Sequence, residues 1–299
     1  MITTIDCYSC FLRQGLQAAR MAGAGPEEQD HVVRAIMGYL LGSSPHHSPV
    51  EVARAVQEIV SRIVGVADPY TEVKNRSNWQ AASWIRKAEC KLREEHSGSL
   101  ERAIRLAIAG NIIDYGPSGS HDLEQTLDRC LRQPLAIDHL ARLMDRLESS
   151  RTLAYLADNA GELAFDHLLL CKILERFDLE SVLFVVRERP FLNDALLADA
   201  EYFGISSLPG VEIVQMDAGQ PEPDSSSRPL WDRILACDAR LAKGQANAEA
   251  YEDQDDFFLL FMVKCEVVAR TLSGKGHGEV MEGDMVLMHT AARPVPAVR

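Results

Sequence analysis

The sequence predicts an α/β protein in which a helical N-terminal portion precedes a mostly parallel sheet with helices on both faces. Up to about residue 147, apolar residues recur at the three- and four-residue spacings of amphipathic helices. From about residue 150, short apolar runs alternate with helical stretches, which is typical of parallel strands joined by crossover helices. We therefore expect a helical domain over residues 1–147 and an α/β domain over residues 148–299, which carries the functional site.

Two segments give the clearest helical signals in the first portion. SLERAIRLAIAG (99–110) has its apolar residues on one helical face: Leu100, Ala103, Ile104, Ala107 and Ile108. SPVEVARAVQEIVSRIV (48–64) begins with Ser48 at a helix N-cap position and Pro49 at the first helical position. No stretch before residue 147 alternates as a half-buried strand does, so we expect no strand there.

Six apolar runs in the second portion are predicted strands: TLAYLA (152–157), SVLFVV (181–186), VEIVQM (211–216), ARLA (239–242), FFLLFMV (257–263) and DMVLMH (284–289). Helices are predicted over 162–177 and 194–203. The run FFLLFMV is continuous, so it also fits the start of a buried helix. The Pro- and Ser-rich stretch 218–229 is predicted to be a long loop or a lid.

Composition and charge exclude several classes of protein. The net charge of −13 argues against a nucleic-acid partner, which needs a basic surface to neutralise phosphates. The start, MITTIDCYSC, lacks the pattern of a signal peptide, and the longest clean apolar run has only seven residues, too few to cross a bilayer. Seven scattered cysteines fit a reducing compartment. We expect a cytoplasmic protein without a membrane partner, and its oligomeric state is left open.

Polar residues follow three of the predicted strands. Asp158 and Asn159 follow the first, Asn193 and Asp194 follow the second, and Lys243 begins the segment KGQAN after ARLA. Ligands of open α/β sheets bind beyond the carboxyl ends of the strands. These residues are therefore candidates for one site.

The residue types at these strand ends favour phosphoryl chemistry. Asp158, Asn159 and Asp194 offer hard oxygen ligands, which suit Mg²⁺ or Mn²⁺. Lys243 is a point charge that suits a phosphate oxygen, and glycines at 161 and 244 allow backbone N–H groups to approach an anion. Together they indicate a metal-dependent phosphoryl site. In the alternative interpretation, Asp158 and Asn193 are helix caps and Lys243 is a solvated loop residue.

Other motifs favour ordinary structural roles. Cys7 and Cys10 form a CxxC at a predicted helix start, and packing within the helical domain explains them better than a zinc or redox site. LADNAGE has one glycine where a dinucleotide-binding fingerprint needs three. Asn111 and Asp114 share one helical face after Gly110, where helix termination is the simplest explanation.

Several segments in the same order resemble motifs of the damage-control phosphatase family, formerly a domain of unknown function. The segments are DPYTEVKNRSN (68–78), AIAGNIIDYG (107–116), DNAGELAFDHLL, RPFLNDALLADA, AKGQANAE and GDMVLMH. The N-terminal CYSC is similar to that of the stand-alone prokaryotic branch. The resemblance covers nearly the whole chain and implies a Rossmann-like α/β domain.

The resemblance also implies roles for individual residues. Its metal ligands fall on Asp158, Asn159 and Asp194. Its KGxxN segment, on the phosphate side of the site, falls on Lys243, Gly244 and Asn247, and it suggests that Asn111 and Asp114 contribute to the cleft. One departure is that family members usually have KGQGN followed by an aromatic residue, whereas this chain has Ala246 and Ala248. We expect that difference to alter the fit of the substrate.

The predicted function is metal-dependent hydrolysis of phosphate monoesters of small metabolites, either sugar phosphates or nucleotide-derived esters. The cofactor is a divalent Mg, Mn, Co or Ni ion. Asp158, Asp194 and Glu162 are the candidate catalytic residues, with N-terminal capping of a helix as the alternative role of Glu162. The nucleophile is a water molecule or a carboxylate. The alternatives are an S-adenosylmethionine-dependent methyltransferase and a non-catalytic module that binds phosphometabolites.

Overall fold

The computed structural model describes residues 2–44, 46–93, 99–110, 128–217 and 228–290. Two predicted site residues, Asn111 and Asp114, lie outside these ranges, as does most of the predicted loop 218–229. Within them, no helix is both long and apolar enough to cross a membrane.

Three N-terminal helices form a core of their own: α1 (Ile5–Met21), α2 (Pro26–Gly42) and α3 (Pro49–Val64). α1 and α2 approach closely at Gly15, where an added Cβ would lie 2.1 Å from Cδ1 of Ile36. Ser48 caps α3 as the sequence predicts. Its hydroxyl accepts a hydrogen bond from the Glu51 backbone, and the Glu51 carboxylate accepts one from the Ser48 backbone.

Two further helices of the N-terminal portion pack against the sheet. They are α4 (Thr71–Arg93) and α5 (Ser99–Ala109). Buried residues of both, such as Ala81 and Ile104, belong to the same core as strand residues Leu153 and Tyr155. The division into domains at residue 147 stays a prediction.

In the part of the chain that the structure describes, the sheet contains seven strands: β1 (Leu135–Asp138), β2 (Thr152–Leu156), β3 (Ser181–Arg187), β4 (Val211–Met216), β5 (Ala239–Lys243), β6 (Phe258–Met262) and β7 (Met285–His289). Their order is β1-β7-β6-β5-β2-β3-β4. Among these strands, only the β6–β7 pairing is antiparallel. The prediction of a mostly parallel sheet is confirmed, and the ambiguous run FFLLFMV forms a strand.

The prediction that no strand lies before residue 147 is wrong. β1 occupies Leu135–Asp138, directly after Pro134, and pairs in parallel with β7. It has only four residues and lies at the edge of the sheet. A run that short shows too little alternation to be recognised between helical segments, and its pairing depends on a strand about 150 residues later.

Helices cover both faces of the sheet, as predicted. They are α6 (Leu140–Glu148), α7 (Leu163–Arg176), α8 (Leu197–Tyr202), α9 (Arg228–Ala236), α10 (Gln245–Tyr251) and α11 (Glu266–Gly274). One face packs on α4 to α8, and the other packs on α9, α10 and α11. Alternate residues of β2 enter the two cores, with Tyr155 in one and Leu156 in the other.

The strand order reverses between β2 and β5. From β2 the chain passes to β3 and β4 on one side, and it then returns to place β5 and β6 on the other side of β2. Crossover connections that diverge in this way leave a crevice at the carboxyl ends of the two central strands. Residues that follow β2 and β5 therefore lie at the expected ligand position of this fold.

Candidate functional site

The chain that follows β2 is bound directly to the loop that follows β3. The N–H of Ala195 donates to the carbonyl of Asp158 at 2.8 Å, and the N–H of Ala160 donates to the carbonyl of Asn193 at 3.0 Å. Asn159 and Asp194 form an isolated antiparallel bridge. The structure thus brings together the three residues that the sequence suggests as metal ligands, and each is at most 4% exposed.

The loop that carries Asp194 is anchored to the N-terminal helices. Phe191 is buried in the core of α1 to α3. The Gln57 side chain on α3 accepts a hydrogen bond from the Leu192 backbone at 2.7 Å. Leu192 has a φ of 48°, in the left-handed region. A residue other than glycine rarely adopts this conformation unless neighbouring contacts hold it there. The helical portion therefore helps to fix the position of Asp194.

Gly244 allows the ends of β2 and β5 to approach each other. Its φ is 87°, and an added Cβ would lie 2.0 Å from Cγ of Asp158. Any other residue would collide with that carboxyl group and strain the backbone. The glycine that the sequence associates with a phosphate-binding turn is thus also required for the placement of Asp158.

Helix α4 covers the turn between β2 and α7. A Cβ added at Gly161 would lie 2.9 Å from Cβ of Ser77 on α4. The neighbouring Asn78 donates to the Asp199 carboxylate at 2.6 Å and so joins α4 to α8. The segment that resembles the family around residues 68–78 therefore forms a wall over the strand ends.

Arg187, the last residue of β3, joins the Asp194 loop to α10. Its Nε lies 2.6 Å from Oδ2 of Asp194, and its Nη2 donates to Oδ1 of Asn247 at 3.2 Å. Asn247 in turn donates to the carbonyls of Ala157 and Lys243. All these side chains are buried. Asn247 thus ties the ends of β2 and β5 together.

Lys243 is 1% exposed and pairs with two carboxylates. Its Nζ lies 3.1 Å from Oε2 of Glu162 and 3.1 Å from Oδ1 of Asp166. Burial disfavours its charged form, but Asp166, Glu162 and Asp158 outweigh that effect and raise the pKa of Lys243. The interpretation of Lys243 as a solvated loop residue is wrong.

Glu162 and Asn159 form a hydrogen-bonded group with Asp158. The Asn159 Nδ2 donates to Oε1 of Glu162 at 2.6 Å and to Oδ2 of Asp158 at 3.0 Å. Glu162 is 1% exposed and makes no side-chain cap bond to the helix that follows it. The capping interpretation of Glu162 therefore has no support in the structure.

The carboxyl groups at the strand ends crowd one another. Burial, followed by the charge of Glu162, raises the pKa of Asp158 well above its usual value. Burial also raises the pKa of Asp194, although Arg187 opposes the shift. A third cation, Lys264, lowers the pKa of both groups. The site favours a positive charge beyond those that its own side chains supply.

The structure adds three candidate site residues that the sequence interpretation missed: Arg187, Asp166 and Lys264. Lys264 follows β6, on the other side of β5 from β2, and is half-buried. Reading the end of β6 by the rule used for the other strands would have found it. Arg187 closes the apolar run SVLFVVR, and nothing local distinguishes it from a surface residue.

Metal binding fits the donor set at the strand ends. Within the described ranges, no three histidine, cysteine, aspartate or glutamate side chains are grouped as metal ligands. The predicted set instead combines the carboxylates of Asp158 and Asp194 with the carboxamide of Asn159. Hard oxygens, burial and carboxyl groups with raised pKa values suit a divalent cation such as Mg²⁺ or Mn²⁺.

Cys7 and Cys10 are free thiols in α1.

Comparisons with known proteins identify the family. The family profile described as the damage-control phosphatase ARMT1-like domain matches residues 3–280. A damage-control phosphatase of Archaeoglobus fulgidus is 30% identical over 296 residues, covering 94% of this chain and 96% of its own. A damage-control phosphatase of Pyrococcus horikoshii is 29% identical, covering 94% and 96%.

The fold agrees with a solved structure as well. The crystal structure of a DUF89 family protein from Pyrococcus horikoshii superposes with a TM-score of 0.83 at 26% identity, covering 97% of this chain and 99% of that one. An uncharacterised protein of Methanocaldococcus jannaschii is 27% identical over 293 residues, covering 95% of this chain and 94% of its own. The chain therefore belongs to the damage-control phosphatase ARMT1-like family.

Proposed function

We propose that the protein is a metal-dependent phosphatase that hydrolyses phosphate monoesters of small metabolites, such as sugar phosphates or nucleotide-derived esters. The observation that carries this proposal is the charge balance of the crevice between β2 and β5. Four carboxyl groups are buried there: Asp158, Glu162, Asp166 and Asp194. The buried cations in the described part of the crevice are Arg187 and Lys243. With all four carboxyl groups ionised, as metal binding requires of its ligands, the balance stays negative even when the half-buried Lys264 is included.

Asp158, Asn159 and Asp194 would hold the divalent cation. The nitrogen of the Asn159 carboxamide is engaged by Asp158 and Glu162, which leaves its oxygen as the atom to offer to a metal. A bound cation would polarise the phosphoryl oxygens and neutralise charge that develops on them. Arg187 holds Asp194 by an ion pair and limits its motion.

The phosphate group would bind beside the Gly244 turn. Lys264 is the partly exposed cation that acts on both Asp158 and Asp194, so we assign it the direct contact with a phosphate oxygen. Lys243 is buried beneath the turn, where it pairs with Glu162 and offsets the negative charge of that carboxylate. Asn247 holds the turn in place. The role of Asn111 and Asp114 in the cleft stays a proposal from the family resemblance.

Both proposed nucleophiles fit the site. A water molecule held at the strand ends would be deprotonated by a nearby carboxylate. Alternatively, the Asp158 carboxylate attacks phosphorus, which releases the alcohol and leaves an acyl phosphate for hydrolysis. Rapid acid quenching during turnover distinguishes them, since only the second route leaves phosphate bound to the protein. Both oxygens of Glu162 are hydrogen-bonded, one to Asn159 and the other to Lys243. Glu162 therefore either transfers a proton or holds these two side chains in place.

The test is phosphate release from a panel of sugar phosphates and nucleotides, each assayed with Mg²⁺, Mn²⁺, Co²⁺ and Ni²⁺. We expect release only with a divalent metal, and activity that survives exhaustive chelation would contradict the proposal. The metal that works best in vitro does not identify the physiological one, because intrinsic affinities rise from Mg²⁺ to Ni²⁺ at most sites. Binding of S-adenosylmethionine in metal-free buffer would favour a methyltransferase. Metal-dependent ester binding without turnover would favour a binding module.

A further inference from the structure

A buried hydrogen-bonded chain leads from the interior of the protein to the proposed metal ligands. It passes through five side chains in order: Tyr155, Asp166, Lys243, Glu162 and Asn159. The Tyr155 hydroxyl donates to Oδ1 of Asp166 at 2.7 Å, and Lys243 lies 3.1 Å from the same oxygen. The chain ends at Asp158, to which Asn159 donates. We call it the Tyr155–Asp158 chain.

Asp166 is a costly residue to keep at its position. It lies on α7, is 0% exposed, and its Oδ2 has no hydrogen-bond partner among the described residues. A buried carboxyl oxygen without a partner destabilises the fold. Burial accordingly raises the pKa of Asp166, although Lys243 opposes the shift. Fold stability alone does not account for a carboxylate here, so its contacts with Lys243 and Tyr155 indicate another role.

Each link of the chain restricts the next. Asp166 and Glu162 both bind Lys243, each at 3.1 Å from its Nζ, and the two contacts together limit the movement of the ammonium group. Glu162 bound in this way presents Oε1 to the nitrogen of Asn159. A carboxamide can rotate to offer either nitrogen or oxygen. With its nitrogen held by Glu162 and Asp158, Asn159 offers its oxygen to the crevice.

We propose that Asp166 is a positioning residue that acts through Lys243 and Glu162 to hold the Asn159 carboxamide with its oxygen toward the crevice, and that Tyr155 supports it. The proposal rests on the proposed function only where it assigns that oxygen to a metal. The orientation of the carboxamide can be tested in metal-free protein. A failure of the positioning role of Asp166 can therefore be distinguished from a failure of the proposed function.

The first experiment uses metal-free protein labelled with ¹⁵N at asparagine. In the wild type, both hydrogens of the Asn159 side-chain amide are engaged, so we expect slow exchange with solvent and a well-dispersed signal pair. In Asp166→Asn, Lys243 keeps a single carboxylate partner and draws Glu162 away, so protection of the amide should fall at least tenfold. Asp199→Asn is the matched control. It removes a charge from another buried carboxylate, one bound to Asn78 and the Leu196 backbone.

The second experiment measures Mn²⁺ affinity by calorimetry on the apo protein. Removal of an outer partner of a metal ligand typically weakens metal binding by about 10- to 100-fold. We expect a loss of about tenfold for Asp166→Asn and a smaller loss for Tyr155→Phe. Asp199→Asn should bind Mn²⁺ as the wild type does, even if its melting temperature falls further. In a Lys243→Met background, Asp166→Asn should have little additional effect, because the link through which it acts is already absent.

Three results would overturn the proposal. Unchanged protection of the Asn159 amide in Asp166→Asn would show that Asp166 does not position it. Equal losses of Mn²⁺ affinity in Asp166→Asn and Asp199→Asn would show a general effect of destabilisation. Full additivity with Lys243→Met would show that Asp166 does not act through Lys243. If the wild type binds no divalent metal, the proposed function fails, and the amide protection still decides the positioning role.

Discussion

Ionic groups cluster at both ends of the parallel strands, which we call the amino edge and the carboxyl edge, but their charge balance is opposite. At the amino edge, the partly exposed Asp256 lies 2.6 Å from Arg146, 2.8 Å from Arg240 and 2.8 Å from His289. One carboxylate there has three basic partners. At the carboxyl edge, four buried carboxyl groups share two buried cations.

The direction of the carboxyl pKa shift distinguishes the structural ion network at the amino edge from the candidate site at the carboxyl edge. Asp256 has a lowered pKa, because its bonds to Arg146 and His289 outweigh its burial. Asp158 has a raised pKa, because burial and Glu162 outweigh its basic neighbours. A fold gains nothing from crowding buried carboxylates, so an arrangement of that kind indicates a ligand that supplies the missing charge.

Asp194→Asn is expected to affect activity far more than stability. Loss of a charged metal ligand should lower kcat/KM by about a hundredfold or more, equivalent to ~2.7 kcal/mol. In the metal-free protein the buried Arg187 loses its charged partner, but the variant also removes a carboxyl group whose pKa is raised by burial and whose ionised form therefore opposes folding. These two effects on the free energy of unfolding oppose each other, so we expect a small net change. Turnover and urea unfolding check both expectations, and a fully active variant would remove Asp194 from the site.

Asp158→Asn should lower activity similarly and should not destabilise the metal-free protein. A carboxyl group with a raised pKa opposes folding at neutral pH when ionised. Its neutralisation should therefore preserve or raise the melting temperature of the metal-free protein. Mn²⁺ should then stabilise the wild type more than the variant. A clear fall in the metal-free melting temperature would contradict the view that the carboxyl edge carries excess negative charge.

Gly244→Ala should disrupt the site through a steric clash. The new Cβ would fall 2.0 Å from the Asp158 carboxyl carbon, and displacement of that group by about 1 Å can reduce turnover by about 10- to 100-fold. Gly276→Ala is the matched control, since Gly276 has the same φ of 87° and no atom within 4 Å of an added Cβ. It should lose only the ~1–2 kcal/mol of a strained backbone and keep its activity. Steady-state kinetics of both variants decides between clash and strain.

Asp256→Asn should affect stability alone. Asparagine keeps the shape and tolerates the left-handed backbone at this position, where φ is 66°. The side chain is 26% exposed, so we expect a loss of about 1–2 kcal/mol in the free energy of unfolding, with turnover unchanged. Chemical denaturation and the phosphatase assay measure these quantities. A large loss of activity would show that the two edges are coupled.

The smallest expected effect is the pH dependence of the amino edge. Since the pKa of Asp256 is lowered on folding, its ionised form contributes stability above the unfolded pKa of about 3.9. That contribution is lost as the pH falls through the folded pKa. The stability difference between wild type and Asp256→Asn should therefore be constant near neutral pH and shrink below about pH 4. A difference that grows on acidification would reverse the assigned sign.

Sequence patterns alone predicted much of the architecture. Of the seven strands in the described ranges, six coincide with apolar runs. All six except the edge strand β4 are largely buried, and a strand buried on both faces needs consecutive apolar residues whatever its neighbours are. The prediction that Asp158, Asn159 and Asp194 belong to a site rests on a similarly local reason, since polar residues are unfavourable at the end of a buried strand unless they have a function there. The cap of α3 by Ser48 is also encoded within four residues.

Tertiary structure alone decided which strands are neighbours and which charges pair. β1 becomes a strand only through its pairing with β7, and the crevice exists only because β5 lies beside β2. Arg187, Lys264 and Asp166 acquire their roles from partners that are distant in sequence, with Asp166 and Lys243 separated by 77 positions. Ionic interactions depend on distance and burial in space, and local sequence patterns contain neither.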